Sequence, residues 1–244
     1  MKKLLNKTVL ITGAGSRVGQ EIALLYAAEG ANIAITDSRQ DQLLALEAEI
    51  KKENGNCVSI LTDISKEEDL DYLIGSVLSY YHSIDIVINN TNMLNDYIVY
   101  RGSLSNDAFK EMLRLNIETP LKLSQKVIEL FVGKAKGNII NITPCADHIG
   151  GVLGTSVALN ARAVMGFTQN TGSVYAEKGI QCNCITYTER VVSDIGAVKS
   201  KGKKQEITSI PLLKKLEKNI ARIALFLATA DAAMINGTIL NVGN

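Results

Sequence analysis

The chain alternates between two hydrophobic periods, and that alternation restricts it to very few folds. Thr8-Val9-Leu10-Ile11 is a short apolar run closed by Gly13, the pattern of a buried strand. Behind it, Val18, Ile22, Leu25 and Tyr26 recur at helical spacing. Residues 32–36 form a second strand run, and Ser38-Arg39-Gln40-Asp41 reads as a capping box opening a helix with Leu43, Leu46 and Ile50 on its inner face. Residues 56–61 form a third strand. Ser65-Lys66-Glu67-Glu68 is a second capping box, followed by the apolar stripe Leu70, Leu73, Ile74, Val77, Leu78 and Tyr81.

Strands at 84–88, 138–142 and 180–185 continue the pattern, with helices at 105–131 and 156–175 between them. Pro120 should kink the earlier helix or mark a boundary within it. A helix at 213–230 and a strand at 238–242 close the chain. Strand and helix thus alternate about six times, with no linker and no repeat. Such a chain builds a parallel sheet of about seven strands covered by helices on both faces, in one domain spanning residues 1–244.

Composition closes off other classes. A chain of 244 residues can bury about 70 % of its surface, enough for a core without metal or disulfide staples. Apolar residues at 46 % and charged residues at 21 % exclude global disorder. Twenty-six basic against twenty-five acidic side chains leave no surplus for a nucleic-acid backbone. Cys57, Cys145, Cys182 and Cys184, with His82 and His148, show no zinc-site spacing and read as free thiols of a reducing compartment. Asn6 and Lys7 cut the first apolar run far short of a signal core, and no apolar stretch approaches the ~20 residues of a membrane span. The expectation is a cytoplasmic protein without metal, nucleic acid or membrane among its partners.

In a doubly wound sheet, ligands bind beyond the carboxyl ends of the strands. The first strand ends there in Thr12-Gly13-Ala14-Gly15-Ser16-Arg17-Val18-Gly19. A glycine-rich turn opening a helix offers backbone N–H groups and a positive dipole end to phosphate. Asp37, at the end of the second strand, can accept bonds from both ribose hydroxyls of an adenine dinucleotide and repels a 2′-phosphate, which favours NAD over NADP. The alternative is an aspartate that merely caps the next helix. Gly13, Arg17, Val18, Gly19 and Asp37 are therefore candidate cofactor residues.

These residues resemble the short-chain dehydrogenase/reductase family, and the likeness covers nearly the whole chain. Thr12 to Gly19 is similar to the family's T-G-x-x-x-G-x-G loop. Thr62-Asp63-Ile64 resembles the segment that touches adenine, Val87-Ile88-Asn89-Asn90 the start of the N-N-A-G motif, and Asn116 the helix asparagine that organises the active-site water. The tail from Ala224 to Val242 resembles the family's last helix and strand. The resemblance implies a Rossmann fold and adds Asp63, Ile64 and Asn90 as cofactor residues. It also implies a dimer or tetramer formed through the two long helices.

The departures fall on the reaction. The family uses a serine after the fifth strand and a Y-x-x-x-K pair on the next helix. In the matching segments Pro144 stands at the serine, Val157 at the tyrosine and Ala161 at the lysine. The separation of Pro144 from Val157 equals the family's serine–tyrosine separation, so the two matches support each other. Proline, valine and alanine carry no titratable proton, whereas reducing a carbonyl needs an acid. Thr143 is expected to point to the opposite face of its strand from residue 144.

Tyr175 and Lys178 are spaced by three rather than four and read as a helix end. His148, in the substrate loop, is an ordinary loop histidine or a substitute acid. Arg17 replaces the loop's second glycine; it is either strained at positive φ or pairs with phosphate directly. Thr91-Asn92 replaces Ala-Gly after the fourth strand, and Tyr187-Thr188 replaces Pro-Gly after the sixth. The variable segment at about 187–212, with Lys199, Lys201, Lys203 and Lys204, is a solvated loop or a basic contact for an anion.

Two readings result. The leading one is a redox-inactive member that binds NAD(H) weakly or serves as a structural subunit, as a homo-oligomer or with an active relative. The other is an NAD(H)-dependent oxidoreductase of a carbonyl or alcohol substrate whose acid comes from elsewhere.

Overall fold

The structure, a computed structural model, describes residues 2–90, 106–144, 154–187 and 210–243. Seven strands are found among them: β1 (Thr8–Thr12), β2 (Asn32–Asp37), β3 (Asn56–Leu61), β4 (Ile86–Asn89), β5 (Gly137–Pro144), β6 (Ile180–Tyr187) and β7 (Ile239–Val242). All pair in parallel in the order β3-β2-β1-β4-β5-β6-β7. The helices are α1 (Arg17–Ala28), α2 (Gln40–Lys52), α3 (Glu67–Tyr81), α4 (Asn106–Leu113), α5 (Thr119–Lys134), α6 (Gly154–Val174) and α7 (Ile210–Leu227). The expected fold class, a single-domain doubly wound sheet of seven strands, is the one observed.

The strands read as unbroken apolar runs because both faces of the sheet are covered. Every residue of β1 and β5 is buried. The pleat sends alternate residues to two separate layers. Val9, Ile11, Ile33, Ile35, Ile88 and Ile140 pack with buried residues of α1, α2 and α7. Leu10, Ala34, Val58, Val87 and Ile139 pack with those of α3 and α5. Neither layer forms without crossovers on both sides of the sheet.

Two local expectations are corrected, and the boundary expected at Pro120 is found. Ser38 does not cap α2: Arg39 takes the N-cap position without a side-chain cap bond. Ser65 does not cap α3 either. Its hydroxyl donates to Asp63 Oδ1 at 2.6 Å, and Lys66 becomes the N-cap. Asp63 thus takes the Ser65 hydroxyl, while Asp37 takes the backbone N–H of Arg39. The helix expected over 105–131 is two helices joined by a π-helical turn, Arg114–Glu118, where Thr119 N–H donates to Arg114 O. Pro120 follows at once and has no N–H for the Asn116 carbonyl, so the ordinary ladder cannot continue there.

Among the described residues four buried polar atoms lack a hydrogen-bond partner, and the Tyr26 hydroxyl is one of them. Tyr26 on α1 is fully buried and its hydroxyl makes no hydrogen bond. Burial alone pushes its pKa well above the ordinary phenol value. Tyr26→Phe removes a desolvated hydroxyl and keeps the ring, so it should stabilise the fold by about 1 kcal/mol. Calorimetry should show the melting midpoint rise by roughly 2–4 °C, and a lowered midpoint would mean that the hydroxyl is satisfied.

Candidate nucleotide-binding and reaction site

The strand order reverses between β1 and β4, so the crevice opens where Gly13 faces Asn90. Gly13 has φ +59°, and a Cβ there would lie 2.3 Å from the Asn90 carbonyl oxygen. Asn90 holds the loop in place: its Nδ2 donates to Gly13 O at 3.0 Å and Ser16 Oγ at 2.8 Å. Its N–H donates to Thr12 Oγ1 at 3.2 Å. A Cβ on Gly19 would lie 2.5 Å from Gly13 O, so α1 can approach the loop only with glycine there. Ser16 caps α1 by accepting from Gly19 N–H at 3.1 Å. Ala14, Gly15 and Ser16 donate their N–H groups to Thr36 O, Asp37 Oδ2 and Gly13 O. The first-turn N–H groups of Arg17 and Val18 remain for an anionic ligand.

Arg17 is not strained. It is absent from the positive-φ residues and begins α1 with a helical backbone. Its guanidinium, 67 % exposed, reaches toward Glu217 of α7 at 3.8 Å. The loop therefore accepts arginine in place of its second glycine without a backbone penalty.

Asp37 is not the N-cap of α2. It sits buried beneath the glycine loop and accepts four hydrogen bonds, from Gly15 N–H at 2.9 Å and from Arg39 N–H, Nε and Nη2 at 3.1, 2.8 and 2.9 Å. Burial raises the carboxyl pKa, but the Arg39 and Gly15 donors outweigh it and hold Asp37 below the ordinary value. A Cβ on Gly15 would fall 2.7 Å from Gln42 Oε1 and 2.9 Å from Asp37 Oδ2, so glycine is needed to keep this recess open.

The next strand supplies a less regular contribution. Ile64 is buried in the layer with Leu70 and Val58. Asp63 stays exposed, with Oδ1 accepting from Ser65 N–H and Oγ, and the Ser65 bond is the main cause of its lowered pKa. Leu61, opposite Asp37 in the sheet register, is half exposed at the strand end and adds an apolar surface that the motif reading missed.

The reaction end lies at the tips of β4 and β5. Asn89, Asn116, Pro120, Asn141, Ile142, Thr143 and Val164 line a cavity of about 10 Å³, room for roughly one water. Asn89 Nδ2 donates to Asn141 Oδ1 at 2.8 Å and to Ser124 Oγ at 3.1 Å, and its own Oδ1 is buried without a partner. Asn141 Nδ2 continues to Thr168 Oγ1 at 2.8 Å. The motif reading touched Asn89 only as part of the segment resembling N-N-A-G, and gave Ser124, Asn141 and Thr168 no place at the site. Single buried asparagines carry no periodic signal, and only the sheet register brings them together.

Among the described residues, none that lines the cavity carries a side chain with an ordinary pKa near neutrality. Thr143, expected to turn away, lines the cavity as well, but its hydroxyl donates to Pro144 O at 3.4 Å. Pro144 ends β5, buried and in register with Tyr187. Ala161 is 2 % exposed on α6. The Cys57 and Cys182 thiols are pushed up to about 12, chiefly by burial, which removes them as nucleophiles. His148, Thr91, Asn92 and Thr188 lie outside the described residues, as does the side chain of Val157. Among the described residues no group of three metal-ligating side chains occurs, and no helix is long and apolar enough to cross a membrane.

Comparison with known proteins gives this geometry a context. A family model described as short chain dehydrogenase matches residues 7–200. A 3-oxoacyl-[acyl-carrier-protein] reductase of Chlamydia trachomatis is 27 % identical, the match covering 98 % of this chain and 96 % of that protein. A 3beta-hydroxysteroid dehydrogenase of Eggerthella lenta is 25 % identical over 98 % of this chain and 94 % of its own. The crystal structure of a hydroxysteroid dehydrogenase from Escherichia coli superposes with a TM-score of 0.80 at 27 % identity, covering 99 % of this chain and 95 % of that one.

Proposed function

The chain belongs to the short chain dehydrogenase family, and from that premise we propose that it is a redox-inactive member that binds NAD(H) weakly and acts as a structural or partner subunit. One observation carries the reading: the cavity at the reaction end is lined by amides, a threonine and apolar groups, with no acid or base among the described residues. A bound nicotinamide would supply or accept hydride, but the substrate oxygen would still need a proton. The residues Pro144 and Ala161 have none to exchange at the places where the family keeps its serine and lysine.

The adenosine half supports binding. The first-turn N–H groups of Arg17 and Val18 would take the diphosphate, and the recess over Asp37 would take the ribose. Leu61 and Asp63 would flank the adenine. Tyr187, at the end of β6, is buried in the same core layer as Ile142 and Val242.

The test is calorimetric titration with NAD, NADH, NADP and NADPH beside a turnover assay. Weak NAD(H) binding is expected, with no ketone reduction or alcohol oxidation, since loss of a general acid alone costs ~10²–10⁴ in rate. Turnover that survives removal of host enzymes and vanishes in His148→Ala would establish the active oxidoreductase with a relocated acid instead.

The same reading makes assembly the retained task. The α6 helix buries Asn160, Ala161, Val164, Thr168 and Thr171. Its outer face mixes exposed Leu159 and Gly166 with Arg162 and Gln169. A Cβ on Gly166 would touch nothing within 4 Å, so the space beside that residue is open. We expect a homodimer or homotetramer through α5 and α6. Ala163→Arg should place an unpaired charge in the contact and drive the species to monomer. Light scattering at micromolar concentration decides it, because a monomeric wild type would sink the idea.

A further inference from the structure

Arg17 brings to the glycine loop a side chain that glycine could not supply. As the first residue of α1 it follows the Ser16 cap, and its own N–H is one of the two left open toward an anion. Side chains in the first turn of a helix slant back toward the N-terminus, so the guanidinium can reach the space in front of its own N–H. In the structure it points elsewhere. Its Nη1 lies 3.8 Å from Glu217 Oε1 on α7, an ion pair too long to be a hydrogen bond. Among the described residues no other carboxylate pairs with it, and its fork of N–H groups is committed to no acceptor. The two partners differ in their surroundings, the Arg17 side chain being 67 % exposed and that of Glu217 12 %. The carboxylate is held where α7 packs on α1, while the guanidinium is free to turn.

The pair is therefore easily exchanged. An exposed ion pair is screened by solvent and loses little when it opens. A guanidinium on phosphate makes two parallel charge-assisted bonds instead. We propose, resting on the reading that the chain binds a nicotinamide dinucleotide, that the Arg17 guanidinium has two stations. It leans on Glu217 while the loop is empty and closes over the diphosphate when the loop is filled. Glu217 is then a brake on affinity, because it competes with the ligand for that side chain. The device belongs to this sequence, since a glycine at 17 would have nothing to exchange.

The experiment is calorimetric titration of the full chain with NADH, ADP and adenosine, for wild type, Arg17→Gly, Glu217→Gln and the double variant, with melting curves to verify folding. Arg17→Gly should weaken NADH and ADP by about tenfold or more. It should change adenosine, which has no phosphate, by less than about twofold. Glu217→Gln should tighten NADH and ADP by about threefold, and that gain should vanish once residue 17 is glycine. Should Arg17→Gly fail to fold or bind too weakly to titrate, Arg17→Gln takes its place as the uncharged background. Unchanged or improved ADP affinity in Arg17→Gly, or an equal loss for adenosine, would overturn the proposal alone. So would a Glu217→Gln variant that gains nothing, or gains as much without Arg17 as with it. Failure of wild type to bind NADH or ADP would remove the dinucleotide reading and this proposal with it.

Discussion

A triple variant, Pro144→Ser, Val157→Tyr and Ala161→Lys, should reduce ketones with NADH at least ~10²–10⁴ times faster than the parent chain. The three changes act as a unit. A phenol at 157 has an ordinary pKa near ~10 and donates poorly until an ammonium at 161 lowers it. A serine at 144 would aim a hydroxyl at the same oxygen, which the proline ring cannot do. Val157→Tyr alone should therefore recover little, and effects within such a unit do not add. Asn116 is already in place on the π turn, beside the cavity. The measurement is NADH oxidation at saturating ketone, with the melting midpoint checked because Ala161 is buried and lysine must find room. A parent chain as fast as the triple variant would show that the proton comes from elsewhere.

How much of this could be read from residues alone depended on the range of each signal. The alternation of periods was enough for the parallel sheet, because burial on both faces leaves strands such as Thr8–Thr12 no solvent-facing positions. Gly13 and Asp37 stood out as candidates because the phosphate turn and ribose carboxylate of a dinucleotide site have fixed positions relative to a strand end. Pro144 and Ala161 stand out only as departures from the pattern that the rest of the chain resembles. Arg39 was not legible, since nothing in Ser38-Arg39-Gln40-Asp41 tells whether the arginine folds back two residues or faces solvent; the pattern suggested a serine cap instead. The buried chain from Ser124 through Asn89 and Asn141 to Thr168 was also hidden. Its members are far apart in sequence and meet only through the β4–β5 register.

Adding one methyl group at Gly13 and one at Gly75 should move stability in opposite directions, though both positions read simply as glycine. At Gly13 the backbone has φ +59°, where a Cβ costs ~1–2 kcal/mol before any contact is considered. The new carbon would also lie 2.3 Å from Asn90 O and 3.0 Å from Asn90 C. Those are backbone atoms, held by the Asn90 N–H bond to Thr12 Oγ1, so the strand tips must part. Gly13→Ala should lower stability by about 3 kcal/mol, some 6–12 °C in melting midpoint. It should also abolish nucleotide binding, because the loop carrying the Arg17 and Val18 N–H groups moves with it. At Gly75, within α3, a Cβ meets nothing within 4 Å and the backbone is helical. Gly75→Ala should stabilise by about 0.5–1 kcal/mol through helix propensity alone and leave binding untouched. Thermal melts of the two variants with a nucleotide titration of each measure all four quantities. Equal midpoints would mean that the Gly13–Asn90 approach is looser than its 2.3 Å geometry requires.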